Sequence, residues 1–400
     1  MLESAIEYNS SPDYPLVPDP ERSHGDVLSG NLLIQGDNLP VLNALARTHR
    51  EAIQCVYIDP PYNTGHAFEH YDDHLSHQAW LEMLRPRLRA MHELLRETGI
   101  FFCSIGDAEM AYLKILCDEI FGRRNFVGTL IWEKKKKPSF LAMLGSVTEY
   151  VLVYAKDKAK ADPLYHGVTT RGKKYPLNNA GNGVRTLTFP AGAVEFMLPD
   201  QIVRAQDMSG GRIITRLLDR VTIRNGRNLE AFRLEGEWRY SQRKLNEVVA
   251  AGDPIRISRI PFRPNHIRTG GDPKKMKNLL SVAHYGMSTY EDAAAESRSI
   301  FGVEAAFDYP KPEQLIHALI GAVTSPGDFV LDAFLGSGTT AAVAHKSGRR
   351  WIGIEAGSHC TSHCVPRLRG IVEGTDRIGV SKSLGWTGGG GFVFLHHNEA

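Results

Sequence analysis

Asp59-Pro60-Pro61-Tyr62 offers a carboxylate, a backbone carbonyl at Pro60 and a flat aromatic ring within four residues. Two prolines, which have no N–H to give a strand ladder, stiffen the set and end the apolar run Cys55 to Ile58. Such a run reads as a parallel-sheet strand, and ligands of open α/β sheets bind at the strands' carboxyl edge. A second set lies far downstream. Asp332 closes the apolar run Phe329 to Leu331, Gly336-Ser337-Gly338 follows, and Glu355 ends the next apolar run. Strand, Gly-x-Gly turn, helix, strand and terminal acid is the order of a nucleoside-binding β-α-β unit. Gly336 and Gly338 would admit a ligand close to the backbone, and Glu355 would accept from ribose hydroxyls. No third glycine completes a dinucleotide fingerprint and no Lys follows Gly338, which disfavours NAD and ATP. A nucleoside without phosphates, S-adenosylmethionine, fits better.

The elements that must hold these sets follow from periodicity. Asn31 to Gln35 is a short strand, and Asp37 or Asn38 can cap a helix from Leu39 to Arg47. Leu81, Leu84, Leu88, Met91, Leu94 and Leu95 fall on one face of a helix from Ala79 to Arg96. Strands are expected at Ile100 to Ile105, Thr129 to Trp132 and Glu149 to Lys156, with a helix from Ala108 to Phe121. Helices follow at Glu313 to Val323 and after Gly338. This alternation predicts an α/β fold on a parallel sheet. Residues 157–300 break the pattern, with short apolar pieces among Gly, Asn, Pro and Arg. They read as a separate lobe inserted into the sheet domain. The chain therefore divides into a first part of the core (1–156), a lobe (157–300), a second part of the core (301–375) and a loosely packed tail (376–400). Residues 1–30 read as an irregular lead-in.

Charge marks the lobe further. The chain's net charge is only +2, yet residues 157–300 hold 24 Lys and Arg against 15 Asp and Glu. A basic segment in an otherwise acidic chain suggests a polyanionic partner. An apolar share of 42% suits a globular protein, and no apolar run approaches the roughly 18–20 residues that cross a membrane. Five scattered cysteines (Cys55, Cys103, Cys117, Cys360, Cys364) and an N-terminus without signal-peptide character point to the cytoplasm. His66, His70, His74 and His77 lack a completing acid or cysteine set, and His359 to Cys364 reads as helix, so no metal site is expected.

Together, Asp59 to Tyr62 and Asp332 to Thr340 resemble the motifs of amino-group DNA methyltransferases. Catalytic loop first, basic lobe next and cofactor loop last is the order of the β-class. Gly36-Asp37-Asn38, Phe307 to Pro312, Ile352 to Glu355 and Trp238-Arg239-Tyr240 extend the resemblance to the modification subunits of type III restriction–modification systems and their solitary relatives. It implies a Rossmann-like, S-adenosylmethionine-dependent methyltransferase sheet in circularly permuted order, with 157–300 as the target-recognition lobe. The implied reaction is methyl transfer to the N6 amine of a flipped adenine. Asp59 and the Pro60 carbonyl would accept the amine's hydrogens and Tyr62 would stack on the base. Asp332, Phe334, Gly336 and Gly338 would line the methionine side of the cofactor, Glu355 would hold the ribose, Asp37 would lie near the cofactor adenine and Lys311 near the methionine carboxylate. The implied partners are double-stranded DNA, a second copy of the chain and a restriction subunit. The rival readings are N4-cytosine methylation, against which the acid at position 59 leans, and a silent DNA-binding fold. Carbon-5 cytosine methylation would need a thiolate within Pro-Cys, and no such pair occurs.

Overall fold

The computed structural model describes residues 14–64, 75–138 and 143–397 and divides the chain into two compact units. One is built from residues up to His166 together with Lys275 onward, and the other is Gly167–Lys274.

The first unit is a sheet of ten strands. In chain order these are β1 (Leu16–Gly25), β2 (Leu32–Gln35), β3 (Ile53–Ile58), β4 (Leu95–Ile105), β5 (Phe126–Glu133), β6 (Thr148–Ala155), β7 (Leu279–Leu280), β8 (Phe329–Asp332), β9 (Arg350–Glu355) and β10 (Gly391–His397). Across the sheet they run β1-β10-β2-β9-β8-β3-β4-β6-β5-β7. The block β10-β2-β9-β8-β3-β4 is parallel, as the alternation of strand and helix requires. β6 departs from the expected parallel sheet and runs antiparallel to both β4 and β5. The register with β5 runs from Glu133↔Thr148 to Phe126↔Tyr154.

Helices cover both faces, because each buried strand is apolar on both sides. Val56 and Ile58 point into a core shared with α1 (Asn38–Leu45), α2 (His77–Leu94) and α3 (Met110–Cys117), through Val41, Trp80, Leu84 and Leu113. Cys55 and Tyr57 point the other way, toward α4 (Glu313–Gly321), α5 (Thr339–Lys346) and α6 (Val365–Val372), where Leu315, Ala342 and Leu368 meet them. No helix among the described residues is long and apolar enough to cross a membrane.

Three further expectations change. The lead-in is not irregular, because β1 pairs antiparallel with β10 from Leu16↔His397 to Gly25↔Gly391. Pro18 and Pro20 are tolerated because β1 is an edge strand whose outer side needs no partner. The tail is not loose, because Phe392 and Phe394 are fully buried and β10 lies between β1 and β2. The inserted unit is Gly167–Lys274 rather than 157–300. Residues 279–280 form β7 beside β5, and Met287 packs into the sheet's core.

The unit Gly167–Lys274 has its own core of Phe189, Phe196, Phe232, Trp238 and Phe262. Seven-stranded and four-stranded sheets of short strands enclose it, with one helix at Gln242–Ala250. It holds 19 Lys and Arg against 10 Asp and Glu.

Candidate active site

Four neighbouring parallel strands deliver the acids singled out in the sequence. β8 lies directly beside β3, with Val330 opposite Cys55 and Leu331 opposite Val56. Asp332 and Asp59 therefore leave the sheet side by side at its carboxyl edge. On the other flank of β8, β9 pairs Gly353 with Asp332 and ends on Glu355, which pairs in turn with Gln35 of β2. Asp37 follows two residues later. A cavity of about 660 Å³ opens over these strand ends. Asp37, Asp59, Pro60, Tyr62, Lys311, Asp332, Phe334, Gly336 and Glu355 all line it.

Asp59 Oδ2 accepts from Lys311 Nζ at 2.6 Å, while Asp59 Oδ1 is buried without a hydrogen-bond partner among the described residues. Lys311 thus stands on the acid of the Asp-Pro-Pro-Tyr set. The Pro61 carbonyl accepts from Trp80 Nε1 at 2.7 Å, which fixes the second proline against α2. Tyr62 donates its hydroxyl to Glu149 Oε2 at 3.1 Å, and burial pushes that phenol well up, helped by Asp59 and Glu149 nearby.

The Gly336 loop is held by acids at both ends. Asp332 Oδ1 accepts the Phe334 N–H at 2.9 Å. Burial pushes the Asp332 carboxyl up to about 7; Asp59 and Glu355 add to the shift, and hydrogen bonds from Thr340 and the Phe334 N–H oppose it. Glu355 Oε2 accepts the Gly336 N–H at 2.7 Å, and Oε1 accepts the Gly357 N–H at 3.0 Å and faces His359 Nε2 at 3.1 Å. Burial alone would raise Glu355, but these hydrogen bonds outweigh it and hold the carboxyl below its ordinary value. Gly336 sits at φ +55° on the cavity wall, where a side chain would be strained. Gly338 does not line the cavity. It opens α5 at φ +82°, and a Cβ there would face Cys364 Sγ at 3.4 Å.

Asp37 caps α1 through the Leu39 N–H at 2.9 Å and also accepts Arg87 Nη2 at 2.9 Å. Asn38 Nδ2 reaches the Ala333 carbonyl at 2.7 Å and ties α1 to the Gly336 loop. Cys360 and Cys364 are buried beneath that loop, and Cys364 Sγ donates to the Gly336 carbonyl at 3.1 Å. His77 pairs with Glu109 at 2.7 Å, while His66, His70 and His74 lie outside the described residues.

Arg87, Lys134, Glu149 and Tyr290 also line the cavity and are not among the site residues expected from the sequence. Glu149 carried a usable signal, as a lone acid near the start of the otherwise apolar strand Thr148–Ala155. His359, weighed only as a metal ligand, lies against Glu355.

Residues 53–363 match the DNA methylase family, and the chain belongs to it. It is 29% identical to the probable type III restriction-modification enzyme HindVI Mod subunit of Haemophilus influenzae, over 91% of this chain and 53% of that one. It is also 29% identical to the type II methyltransferase M.KpnI of Klebsiella pneumoniae, over 80% of this chain and 77% of that one. The chain spans about half the length of the type III modification subunits of H. influenzae and Salmonella typhimurium that it matches. The crystal structure of an M1.HpyAVI–SAM complex aligns over 84% of this chain and 98% of that one, with a TM-score of 0.42 and 14% identity.

Proposed function

We propose that this chain is a site-specific DNA methyltransferase that moves a methyl group from S-adenosylmethionine to the N6 amine of an adenine flipped out of duplex DNA. The observation that carries this reading is the β8–β3 pairing, which opens the Gly336 loop and the Asp59 loop into one cavity.

The residues fit the cofactor. Gly336 leaves room for close approach, Glu355 is an ionised acid for the ribose, Asp37 stands beyond it for the adenine, and Asp332 and Phe334 border the methionine end. When bound, S-adenosylmethionine supplies an electrophilic methyl on a sulfonium. The adenine amine is a poor nucleophile because its lone pair is delocalised into the ring. Asp59 Oδ1 and the Pro60 carbonyl accept its two hydrogens and turn the lone pair toward the methyl group, and Tyr62 stacks on the base. Asp59 Oδ1 then takes the proton that the methylated nitrogen sheds. Positioning and local charge supply the rate, with no covalent enzyme intermediate.

The basic unit Gly167–Lys274 is the target-recognition element, and double-stranded DNA is the principal partner. Its Lys and Arg surplus supports phosphate contact, which positions DNA without specifying sequence. Similarity to modification subunits supports a restriction subunit and a second copy as protein partners, and reaction with chromosomal DNA in the cytoplasm. The test is transfer of labelled methyl from S-adenosylmethionine to mixed-sequence duplex DNA, followed by nucleoside analysis. N6-methyladenine is expected. N4-methylcytosine would move the target to cytosine, and no incorporation into any DNA would sink the enzyme reading.

A further inference from the structure

Glu149 belongs to neither signature loop, yet more of the cavity wall converges on it than on any acid singled out in the sequence. β6 runs antiparallel to β4, with Tyr150 opposite Ile105, so its opening residues return to the edge where β3 ends. The Glu149 side chain is only 7% exposed. Its Oε2 accepts the Tyr62 hydroxyl at 3.1 Å and the Tyr290 hydroxyl at 2.9 Å, and its Oε1 accepts Lys134 Nζ at 3.1 Å. Lys311 Nζ, 2.6 Å from Asp59 Oδ2, stands 4.0 Å from Glu149 Oε2. The Tyr62 and Tyr290 rings lie 5.1 Å and 5.4 Å from that ammonium.

A buried carboxylate is costly unless its lone pairs are used, and a buried ion pair seldom stabilises a fold better than apolar packing would. Stability therefore does not explain why an acid is kept here. Its three donors line the cavity, as does Lys311, and two of these four groups act on the Asp59 loop: Tyr62 directly and Lys311 through its hydrogen bond to Asp59. We propose that Glu149 is a positioning residue that fixes the plane of the Tyr62 ring against the target base. By holding Lys311 between two acids, it also leaves Asp59 Oδ1 as the oxygen open to the amine. This rests on the methyl-transfer reading above.

Glu149→Gln keeps the size and one acceptor but loses the charge, and Glu149→Ala loses every contact. Single-turnover methyl transfer is expected to fall about tenfold in E149Q and further in E149A, with the Kd for S-adenosylmethionine within about twofold of wild type. Tyr62→Phe deletes a hydrogen bond that Glu149→Ala also loses, so the E149A/Y62F double variant should be less impaired than the product of the single effects. Crystal structures of the variants read the geometry without activity, and the Tyr62 ring should turn from its wild-type plane in E149A. Wild-type transfer in E149Q, multiplying effects in the double variant, or an unmoved Tyr62 ring in E149A would each overturn the proposal. So would loss of cofactor binding and heat stability together in E149Q, which marks general structural support. A wild-type protein that methylates no DNA would instead refute the proposed function, and the ring comparison would still decide the place of Glu149.

Discussion

Lys311 and Asp59, 252 positions apart in the chain, meet at 2.6 Å on the cavity wall. The pairing occupies Oδ2, while Oδ1 is buried without a hydrogen-bond partner among the described residues. Asp59→Ala removes both. Methyl transfer should fall at least about 100-fold, the scale of losing one preorganised group at a reacting centre. Cofactor affinity should hardly change, because the Gly336 loop and Glu355 do not depend on Asp59. Labelled-methyl assays with isothermal titration of the cofactor check both halves; retained turnover would remove Asp59 from the catalytic set.

Glu355→Gln tests the other side of the cavity. The amide can still accept the Gly336 N–H but loses the charge and weakens its contacts with His359 and the Gly357 N–H. S-adenosylmethionine should bind roughly tenfold or more weakly, in line with a charged hydrogen bond exchanged for a neutral one. The single-turnover rate at saturating cofactor should stay near wild type. A fall in that rate with unchanged affinity would contradict a ribose-holding role.

Asp332 predicts a pH dependence. Its carboxyl is pushed by burial from 3.8 to about 7, so between those values the folded protein keeps a proton that the unfolded chain has released. Its contribution to stability is therefore present at low pH and is lost as pH rises through about 7. Glu296, also raised to about 7 by burial and by neighbouring Glu313, has the same sign. Asp332→Asn should remove part of the slope, on the order of a few kcal/mol between pH 5 and pH 8. Urea unfolding of both proteins at the two pH values measures it. Parallel pH profiles would show that Asp332 does not titrate there.

Phe392→Ala probes the C-terminal strand. The ring is fully buried against Trp351 and the α5 side of the core. Its loss should cost about 3–5 kcal/mol in urea unfolding, the range for emptying a large aromatic site. A change below about 1 kcal/mol would mean that the site collapses around the gap.

The strands that carry the site were legible because each is an apolar run that ends abruptly on an acid, as Ile58 does on Asp59 and Ile354 on Glu355. Their adjacency was legible only through resemblance, since nothing local to Val330 announces Cys55 as its neighbour. Elsewhere local signals misled. Two prolines and three charged residues disguise β1, and the glycine run Gly388 to Gly391 masks the strand that begins at its end. The two-residue strand Leu279–Leu280 is too short to show periodicity, and Lys274, Lys275 and Lys277 make it look like lobe. At Gly338 the sequence cannot separate close approach of a ligand from the left-handed turn that opens α5. Glu149 and Tyr290 were missed because their partners lie 87 and 141 positions away, at Tyr62 and at Glu149.

The pairing of β1 with β10 also has a mechanical side. Leu16 sits opposite His397, so traction that draws these two residues apart acts across the strands rather than along them. The ladder would open one rung at a time, like a zip, instead of resisting in shear as parallel end strands do. An unfolding machine that pulled from that side would meet little initial resistance. The strands that carry Asp59, Asp332 and Glu355 lie further in and would give way only after this edge had peeled.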